Sequence, residues 1–477
     1  MKALSFMVEG VLAITDDETG IAPLLANKLK AHGIQAEVVG RVPNHASGVV
    51  FLGGLRNLVT ESEALAVNYE AFAAAKSVAQ QLTARGGLFV TVQSTGGSFG
   101  LRGIELQQAW TGGLSGLVKT AALEWPKASV KAIDLEMTAL TKEQAADAIM
   151  VELLWGGPEV EVGLRVNEPR MTVHAEPASL PKSASMRVLN QKGVVIVTGG
   201  ARGVTAAALQ ALAETVSLRF VLLGRTALTE EPAICKHANS EAELRQILFD
   251  SYKANGQKIT PGELSTRAQE ILANREIKET LYTLKKSGSH ASYYAVDIQD
   301  QQSLVHTLSE VRREWGQITG IIHGAGVLAD KRIADKTPEN FDLVFRTKVE
   351  GLRNLLAATQ QDPLDMIVLF SSIAARAGNI GQCDYAMANE ILNKVAAAQA
   401  AQRGVGCLVK SFNWGAWDGG MVTPSLRTHF TERGVNLIPI EQGARAFVEE
   451  LLFGDREQIE VVITGDRAGQ GLMGGQT

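Results

Sequence analysis

Short apolar runs alternate along the chain with longer segments in which apolar residues recur at helical spacing. Each short run has the length and composition of a buried strand. The segments between them, such as 61–83 and 337–358, have the spacing of helices. This alternation predicts parallel strand-helix-strand units. The strands predicted from the pattern lie at 10–15, 36–39, 48–52, 88–92, 130–135, 193–198, 218–225, 366–370 and 459–464.

The pattern divides the chain into two halves. The run at 88–95 parallels the run at 367–372, and a glycine loop, a helix and a strand follow each of them. Between the halves, residues 177–185 are polar and rich in proline, as linkers are. We therefore predict an α/β protein with two Rossmann-like, doubly wound parallel-sheet subdomains. The predicted boundaries are 1–176 for the first subdomain, 177–190 for the linker, 191–467 for the second subdomain and 468–477 for a disordered tail.

Two segments depart from the alternation. Residues 162–175, with Asn-Glu-Pro at their middle, predict a hairpin near the end of the first subdomain. Residues 241–252 and 261–286 have helical composition and predict a helical insertion at about 228–290 in the second subdomain. No site chemistry is visible in this insertion, so we expect it to serve packing or the docking of a partner.

Composition and charge exclude several classes of protein. The 477 residues carry a net charge of −5 with a pI near 6.0, which argues against a role on nucleic acid or on a membrane surface. The three cysteines are isolated and lack metal-ligand spacing, so a reducing cytoplasm is favoured and no metal site is predicted. Acidic residues interrupt the apolar opening segment, which therefore reads as a strand rather than a targeting signal.

The strongest chemical signal lies just after the strand predicted at 366–370. This strand stops at Ser372, and a glycine-bearing loop leads to Tyr385 on a new helix, where Asn389 shares its face. A serine and a tyrosine aimed at one point suit the protonation of a developing alkoxide. Because a free tyrosine has a pKa of about 10, a nearby cation is needed to lower it, and Lys348 is the candidate.

A glycine turn follows the strand at 193–198 and opens a helix. Glycines in such a turn let the backbone approach a pyrophosphate, which sits at the positive end of the helix. A glycine turn without any ligand is the alternative. Thr205 stands where a last Gly or Ala is common and predicts slightly looser packing of the helix on the sheet. The cofactor contacts predicted in this turn are Thr198, Gly199, Gly200, Arg202, Gly203 and Val204.

The next strand ends at Gly224 and Arg225, where the adenosine ribose would lie. Arg225 replaces the acidic residue that an NAD-preferring site uses for the ribose hydroxyls, and a guanidinium can hold a phosphate through two hydrogen bonds. The sequence therefore predicts NADPH rather than NADH as the cofactor. Arg202 is either a second phosphate contact or a solvated arginine of the turn.

These motifs resemble the ketoreductase domains of polyketide and polyunsaturated-fatty-acid synthases, a branch of the short-chain dehydrogenases/reductases. The resemblance is carried by Phe-Ser-Ser, then Gly-Gln, then Tyr-Ala-x-Ala-Asn, and it covers nearly the whole chain. In that branch the active-site Asn follows the Tyr by four residues and the Lys lies on an earlier helix. Asn389 and Lys348 match those positions, so the resemblance implies a catalytic group of Ser372, Tyr385, Lys348 and Asn389.

Further site residues are implied by the same resemblance. Segments 293–298 and 320–326 resemble the strands that bracket the adenine and pack on the cofactor, and 407–417 resembles the strand and loop beside the nicotinamide. Residues 419–435 look like a mobile lid over the substrate. His323 could be catalytic, but a strand-end histidine satisfied by the backbone is preferred. The residues implied are Asp297, Ile298, Gly324, Ala325 and Gly326 for the cofactor, and Trp414 and Met421 for the substrate.

The first half lacks the chemistry of the second. Thr111-Gly112-Gly113 falls about where the tyrosine should be, and the sequence has no tyrosine between Tyr69 and Tyr252. The opening turn also places Asp16 and Asp17 where a pyrophosphate would need amides without like charge. The resemblance implies that such a degenerate first subdomain is structural, and an independent binding site is the alternative.

The resemblance implies reduction, by NADPH, of the β-keto group of an acyl chain held by an acyl carrier protein, beside neighbouring synthase domains. In this scheme Tyr385 donates the proton, Ser372 holds the oxyanion, Lys348 lowers the tyrosine pKa, and Asn389 fixes a proton relay. A reduction-silent scaffold that binds cofactor or carrier is the rival from another class. A free-standing reductase of small ketones is the third possibility.

The stereochemistry is also implied by the family's motifs. A Leu-Asp-Asp motif accompanies D-hydroxy products, and the opposite class carries a Trp eight residues before the tyrosine. Here the motif is Leu-Ala-Asp330, and Ala377 stands at the tryptophan position. Ala377 leaves space on the side that a tryptophan would fill, and Asp330 could hold a loop or water beside the phosphopantetheine arm. The resemblance thus implies a D-(3R)-hydroxyacyl product.

Overall fold

The structure, a computed structural model, describes residues 10–180, 185–420, 422, 424–432 and 434–465. These residues form two α/β units, one around a six-stranded sheet and the other around a seven-stranded sheet. All strand pairings within both sheets are parallel, which confirms the predicted fold class. The tail predicted at 468–477 lies outside the described residues.

The first unit contains the shorter sheet. Its strands are β1 (Leu12–Thr15), β2 (Ala36–Val39), β3 (Gly48–Gly54), β4 (Gly87–Gln93), β5 (Ala128–Leu135) and β6 (Glu161–Leu164). Its helices are α1 (Ile21–Ala31), α2 (Glu61–Arg85), α3 (Leu106–Ala109), α4 (Gly113–Glu124) and α5 (Lys142–Trp155). The strands are ordered β2-β1-β3-β4-β5-β6, so β2 is an edge strand.

The second unit contains the longer sheet and the insertion. Its strands are β7 (Val194–Thr198), β8 (Arg219–Gly224), β9 (His290–Ala295), β10 (Ile318–His323), β11 (Met366–Ser372), β12 (Leu408–Trp414) and β13 (Glu460–Ile463). Its helices are α6 (Gly203–Thr215), α7 (Glu241–Ala254), α8 (Pro261–Lys286), α9 (Gln301–Trp315), α10 (Pro338–Phe345), α11 (Gly351–Ala358), α12 (Ile373–Ala377), α13 (Cys383–Arg403), α14 (Pro424–Glu432) and α15 (Ile440–Phe453).

The strand order of the second sheet creates the crevice that holds the site. The order is β13-β12-β11-β10-β7-β8-β9, so the chain moves outward from β7 to β9 and then returns to the other side of β7. Parallel α/β sheets bind ligands at such a reversal, beyond the carboxyl ends of the strands. The central strands are almost entirely buried, as expected for apolar runs covered by helices on both faces.

Local sequence signals account for the ends of the long helices. Thr60 and Glu63 form a capping box at the start of α2, in which each side chain accepts a hydrogen bond from the other residue's amide. Thr260 and Glu263 form the same box at α8, where Pro261 occupies the first turn. Of the helices that the structure describes, none has both the length and the hydropathy needed to cross a bilayer.

The two units pack closely through α4 and α13. A Cβ on Gly116 would lie 2.7 Å from the backbone of Ala386, and a Cβ on Gly113 would lie 3.2 Å from Met387. Glycine is therefore required for this approach of the two helices. Buried residues from both units, including Phe72 and Phe341, whose rings stack, belong to one continuous hydrophobic core.

A buried cluster of charges also joins the units. The carboxylate of Glu390 on α13 is fully buried and pairs with Lys394 at 2.9 Å, with Arg376, and with Lys119 of the first unit at 3.8 Å. Burial would raise the pKa of Glu390, but these three cations hold it below its ordinary value. Separating the two units would remove Lys119 from Glu390 and leave buried charge uncompensated. The cluster therefore opposes a change in how the two units pack.

Several elements differ from the prediction. The hairpin predicted at 162–175 is confirmed only in part, and its first strand, β6, also joins β5 as a parallel sixth strand. A single antiparallel bridge, Gly163 with Met171, is all that resembles a hairpin. The helix predicted at 337–358 is divided by a π-helical turn at Arg346–Glu350. The helical insertion forms as α7 and α8, which enclose a small cluster of buried apolar residues.

Candidate active site

A cavity of about 1300 Å³ lies at the carboxyl ends of the second sheet's central strands. It is lined at one end by the glycine turn and Arg225, and at the other by Ser372, Tyr385 and the segment around Gly420. A volume of this size exceeds what one drug-sized ligand needs, so it can hold a dinucleotide and a second molecule together. The arrangement therefore brings the glycine turn and the serine-tyrosine pair into one space.

Ser372 and Tyr385 come together where β11 ends and α13 begins. Ser372 Oγ accepts a hydrogen bond of 3.2 Å from the amide of Ala374 and so caps α12. Burial raises the pKa of Tyr385, and hydrogen bonding to Ser372 and Asn389 lowers it by less. Tyr385 is thus held as a protonated phenol near neutral pH, which is the form that can donate a proton.

Asn389 lies one turn after Tyr385 and is fully buried. Its Nδ2 donates to the carbonyl of Tyr385 at 2.8 Å, while its Oδ1 is buried with no hydrogen-bond partner among the residues that the structure describes. An unpaired buried acceptor of this kind is costly and suits a water molecule or a second donor. Asn389 does not itself line the cavity, so any effect on chemistry passes through such an intermediary.

Lys348 reaches the site from the π-helical turn. Its Nζ donates to the carbonyl of Phe370 at 2.8 Å and lies 5.6 Å from the centre of the Tyr385 ring. Burial lowers the pKa of Lys348 to about 7. Gly326 makes room for the lysine stem, since a Cβ there would lie 3.0 Å from Lys348 Cε. π-Helical turns occur often at functional sites, and this one aims the lysine at the tyrosine.

The structure does not show the predicted effect of Lys348 on the pKa of Tyr385. The cation was expected to lower the pKa of Tyr385, but that pKa is raised. The reason is desolvation, which penalises the phenolate and the ammonium alike in the same buried space. Each group is therefore driven toward its neutral form until another charge or solvent enters the cavity.

His323 is structural in this arrangement, as the preferred interpretation expected. Its Nε2 lies 3.0 Å from the carbonyl of Lys348, which can only accept, so Nε2 carries the proton. Its Nδ1 then accepts from the hydroxyl of Thr198 at 2.8 Å. Burial lowers the pKa of His323 to about 3, so the ring is neutral. The histidine ties the backbone that carries Lys348 to the end of β7.

The glycine turn leaves the N-terminus of α6 open. Gly199 and Gly203 have φ values of 68° and 62°, and a Cβ on Gly199 would lie 2.8 Å from the backbone of Gly324 and Ala325. No described side chain caps α6, and its first turn has no acidic residue. Free amides and the positive end of the helix therefore face the cavity, together with Thr198 and Val204.

Two residues of this turn differ from their predicted roles. Gly200 faces the interior, because a Cβ there would lie 2.4 Å from Val197 and 2.9 Å from Leu209. It serves helix-strand packing and does not line the cavity. Thr205 was expected to loosen that packing, yet it is buried, and Gly324 provides the space for its side chain. The small residue at this contact is Gly324, just after the facing strand β10.

The far end of the cavity is lined by Gly224, Arg225 and Tyr293, with Val296, Asp297 and Ile298 beside them. Arg225 is exposed there, and Arg202 Nε lies 4.0 Å from Glu276 of α8. Glu276 and Ile277 also line this end. The helical insertion, which showed no site chemistry in the sequence, thus forms one wall of the cavity. Only the fold could reveal this, because α8 is far from the turn in sequence.

The end of the cavity near Tyr385, which is the substrate end in the function proposed below, contains Leu328, Asp330, Gln382 and Trp414. Gln382 Nε2 donates to Asp330 Oδ2 at 2.8 Å, so Asp330 is held by a side chain from the loop before Tyr385. Leu426 and Phe430 of α14, which belong to the predicted lid, also line the cavity. Ala377 is exposed at the end of α12 and is not part of the lining, and Met421 lies outside the described residues.

A buried ion pair near Tyr385 was not found from the sequence. Lys336 and Asp384 are almost fully buried and pair at 2.7 Å, and Lys336 also donates to the carbonyl of Ala329 at 2.7 Å. Burial raises the pKa of Asp384 to about 6 despite the lysine. The pair ties the loop that carries Asp330 to the start of α13. No spacing signal links a lysine and an aspartate 48 residues apart.

Comparison with known proteins agrees with these features. The sequence model of the KR domain family matches residues 193–419. One chain of the polyunsaturated fatty acid synthase of a Thraustochytrium species is 36% identical over 71% of this chain and 12% of that protein. Polyketide synthase ThaG of Burkholderia thailandensis is 28% identical over 93% of this chain and 7% of that protein. The chain therefore spans 12% or less of the length of these two relatives.

Solved structures match both units together. A ketoreductase domain from the bacillaene assembly line has a TM-score of 0.68 and 22% identity, covering 97% of this chain and 94% of that chain. An A-type ketoreductase from a modular polyketide synthase has a TM-score of 0.69 and 25% identity, covering 95% and 88%. Residues 193–419 therefore match the KR domain family, and the chain as a whole has the fold of the ketoreductase domains of polyketide synthases.

Proposed function

We propose that this protein uses NADPH to reduce the β-keto group of an acyl chain carried by an acyl carrier protein, in polyunsaturated fatty acid or polyketide synthesis. The observation that carries the proposal is one cavity in which Ser372, Tyr385 and Lys348 stand opposite an open helix N-terminus and Arg225. The carrier and the neighbouring synthase domains are the partners of this proposal, supported by the synthases among the relatives.

The residues present fit NADPH. The uncapped N-terminus of α6 and the left-handed Gly199 and Gly203 suit a pyrophosphate, and Arg225 suits a 2′-phosphate. Asp297 and Ile298 would flank the adenine, while Gly324, Ala325 and Gly326 leave the backbone close to the ligand. When bound, this cofactor supplies the hydride that the ketone carbon receives.

The chain's own groups would manage the ketone oxygen. The hydroxyls of Ser372 and Tyr385 would donate hydrogen bonds to it, and as negative charge develops Tyr385 would transfer its proton to form the alcohol. Lys348, protonated in part because its pKa is about 7, would stabilise the resulting phenolate. Asn389 would hold a water through its unpaired Oδ1, so that the proton returns to Tyr385 from solvent.

The test is steady-state oxidation of NADPH in the presence of a β-ketoacyl thioester on a carrier protein. Oxidation with formation of the hydroxyacyl thioester is the expected result. Binding of NADPH without turnover of any β-ketoacyl thioester would overturn the proposal and favour the rival, a reduction-silent scaffold. Turnover of small ketones with no preference for thioesters would favour a free-standing reductase.

We further propose a D-(3R)-hydroxyacyl product. Asp330, held by Gln382, stands at the substrate end, and the motif Leu-Ala-Asp330 retains the last residue of the family's D-type motif. The space predicted beside the substrate at Ala377 gives no support to this proposal, because Ala377 is exposed and outside the cavity lining. Chiral chromatography of the alcohol decides the matter, and a predominantly 3S product would contradict it even if reduction occurs.

A further inference from the structure

A carboxylate of the first unit lies behind the substrate end of the cavity. Glu124, the last residue of α4, is 5% exposed. One of its oxygens accepts a hydrogen bond of 2.8 Å from the amide of Gly381, and the other accepts one of 2.8 Å from the amide of Ile333. Both amides belong to loops of the second unit, so one side chain holds two separate loops.

These two loops frame the proposed ketone site. Gly381 lies between Ser372 and Tyr385, and Ile333 lies three residues after Asp330. The loops are also joined directly, because the amide of Lys331 donates to the carbonyl of Gly381 at 2.9 Å. The Gln382 to Asp330 hydrogen bond forms at the same junction. Glu124 therefore supports the contact between the tyrosine loop and the Asp330 loop from the side away from the cavity.

The carboxylate satisfies both amides at once, with one amide on each oxygen. Two N–H groups converge on one buried side chain, and a carboxylate offers two acceptor oxygens, whereas an amide side chain offers one acceptor and one donor. Burial raises the pKa of Glu124, while the two amides, Arg332 and Lys336 act in the opposite direction. A buried carboxylate is costly to place, so its hydrogen bonds to both loops are what stabilises it there.

We propose that Glu124 is a positioning residue for the substrate side of the site. It holds the loops of Gly381 and Ile333 in the relative position at which Asp330 and Tyr385 face the same ketone. The first unit, which has no chemistry of its own, thereby sets the geometry of the second. This inference rests on the proposed ketone reduction for its kinetic consequences, but the anchoring itself can be measured without turnover.

The experiment compares Glu124→Gln with the parent protein. Glutamine has the same shape but leaves one of the two buried amides unpaired, and we expect roughly a 10-fold loss, which corresponds to about 1.4 kcal/mol. We expect kcat/KM for the β-ketoacyl substrate to fall by roughly that factor, the minor alcohol enantiomer to increase, and KM for NADPH to stay within twofold. Glu124→Asp, whose shorter side chain cannot span both amides, should behave similarly.

Glu152→Gln is the matched control. Glu152 is a buried carboxylate of the same unit that pairs with Lys131 and with Arg170 at 2.8 Å, and these partners also belong to the first unit. Its loss should lower thermal stability without changing the enantiomer ratio. If Glu124→Gln leaves kcat/KM and the enantiomer ratio at parent values, or behaves only as Glu152→Gln does, the positioning role is wrong.

Amide hydrogen exchange separates this inference from the proposed function. In Glu124→Gln the peptides that contain Ile333 and Gly381 should exchange faster than in the parent, while the peptide that contains Gly199 should not. If the parent protein reduces no β-ketoacyl thioester, the proposed function fails and exchange alone decides the anchoring. Unchanged exchange at both loops would overturn it, and faster exchange confined to them would support it.

Discussion

The two units treat the same structural position in opposite ways. In each, the first strand of the sheet leads through a turn into a helix, β1 to α1 and β7 to α6. At α1, Asp17 accepts hydrogen bonds from the amides of Ile21 at 3.1 Å and Ala22 at 2.7 Å, so the chain's own carboxylate occupies the helix N-terminus. At α6, the corresponding amides face a cavity. Both units therefore place a helix N-terminus after the first strand, and Asp17 occupies this position in the first unit only.

The following strand extends the comparison. A glycine and an arginine stand at the end of both β2 and β8. Gly40 and Arg41 follow β2, whereas Gly224 is the last residue of β8 and Arg225 follows it. In the second sheet β9 lies beyond β8 and brings Tyr293, Asp297 and Ile298 to the cavity, whereas β2 is an edge strand. The phosphate site proposed at Arg225 therefore has an open turn and a neighbouring strand beside it, and Arg41 lacks both.

The two units also differ in the helix at the tyrosine position, which is α13 in the second unit and α4 in the first. The first turn of α13 contains Tyr385, and the first turn of α4 contains Gly113 and Ser115. The small residues of α4 allow it to pack tightly on α13. In the first unit this position therefore serves close packing, and α4 supports the helix that carries the tyrosine.

The largest effect is expected from Tyr385→Phe. Removing the phenolic proton should lower kcat by about two to four orders of magnitude, the usual scale for a general acid, while the affinity for NADPH is unchanged. Tyr69→Phe is the control in the first unit, where Tyr69 packs against Phe341 and Phe345. Initial rates and NADPH titrations measure both. Turnover of Tyr385→Phe within twofold of the parent would remove the difference between the units.

Lys348→Met should lower kcat by about 100-fold and raise stability. Burial lowers the lysine pKa from 10.5 to about 7, so below about pH 7 both folded and unfolded chains are charged and the folding penalty is full. The penalty disappears as pH rises from about 7 to 10.5. We expect the variant's Tm to exceed the parent's by about 2–4 °C at pH 6, the scale of about 1 kcal/mol.

The pH dependence provides the control for Lys348→Met. The difference in Tm should shrink between pH 7 and pH 10, because over that range Lys348 is neutral in the folded parent while it is still charged in the unfolded chain, so stability of the parent rises with pH. Differential scanning calorimetry of both proteins at pH 6 and pH 9.5 measures it. A variant that is less stable than the parent at pH 6 would mean that the hydrogen bond to Phe370 outweighs the cost of desolvation.

Much of this contrast could be read from sequence. The alternation of apolar runs and helical spacing predicted both sheets, since parallel buried strands are continuous apolar runs. Asp17 could be suspected as a block on the first turn, because charge at a helix N-terminus has a local effect. The serine, tyrosine and asparagine could be grouped because 372, 385 and 389 lie close in sequence around one strand end.

What could not be read depends on distant segments. Glu124 reaches Ile333 across 209 residues, and Glu276 of the insertion lines the same cavity as Arg225. Such contacts follow from how α4 and α8 pack, which no local pattern encodes. The raised pKa of Tyr385 also depends on distant segments. The sequence predicts a charged Lys348 that lowers this pKa, but the burial of both groups, which raises it, follows only from the folded core.

Arg225→Ala tests the second contrast and should have a smaller effect. It removes a charge-assisted contact to the 2′-phosphate worth roughly 1.5–3 kcal/mol, so Kd for NADPH should rise about 10-fold or more while Kd for NADH changes little. Arg41→Ala is the matched control, since Arg41 is also exposed and follows the equivalent strand. Isothermal titration with each cofactor measures both variants. Equal losses for NADPH and NADH in Arg225→Ala would place the phosphate elsewhere.

Asp17→Ala should have the smallest effect, confined to stability. It removes the acceptor for the first amides of α1 and should lower the free energy of unfolding by about 1 kcal/mol, as loss of a helix cap does. Although burial acts to raise the pKa of Asp17, hydrogen bonds from Thr19, Ala22 and Ile21 hold it below its ordinary value. The cap is therefore present above that value and is lost as pH falls through the folded pKa.

Asp147→Asn, a change to an exposed carboxylate of the first unit, is the control for Asp17→Ala. Titration with NADPH should give one site per chain for the parent and for both variants, because opening the turn does not supply the missing strand beside β2. A second NADPH site in Asp17→Ala would mean that Asp17 alone separates a binding unit from a structural one. One site would mean that NADPH binding needs the open turn, a strand in the position of β9 and the strand-end arginine together.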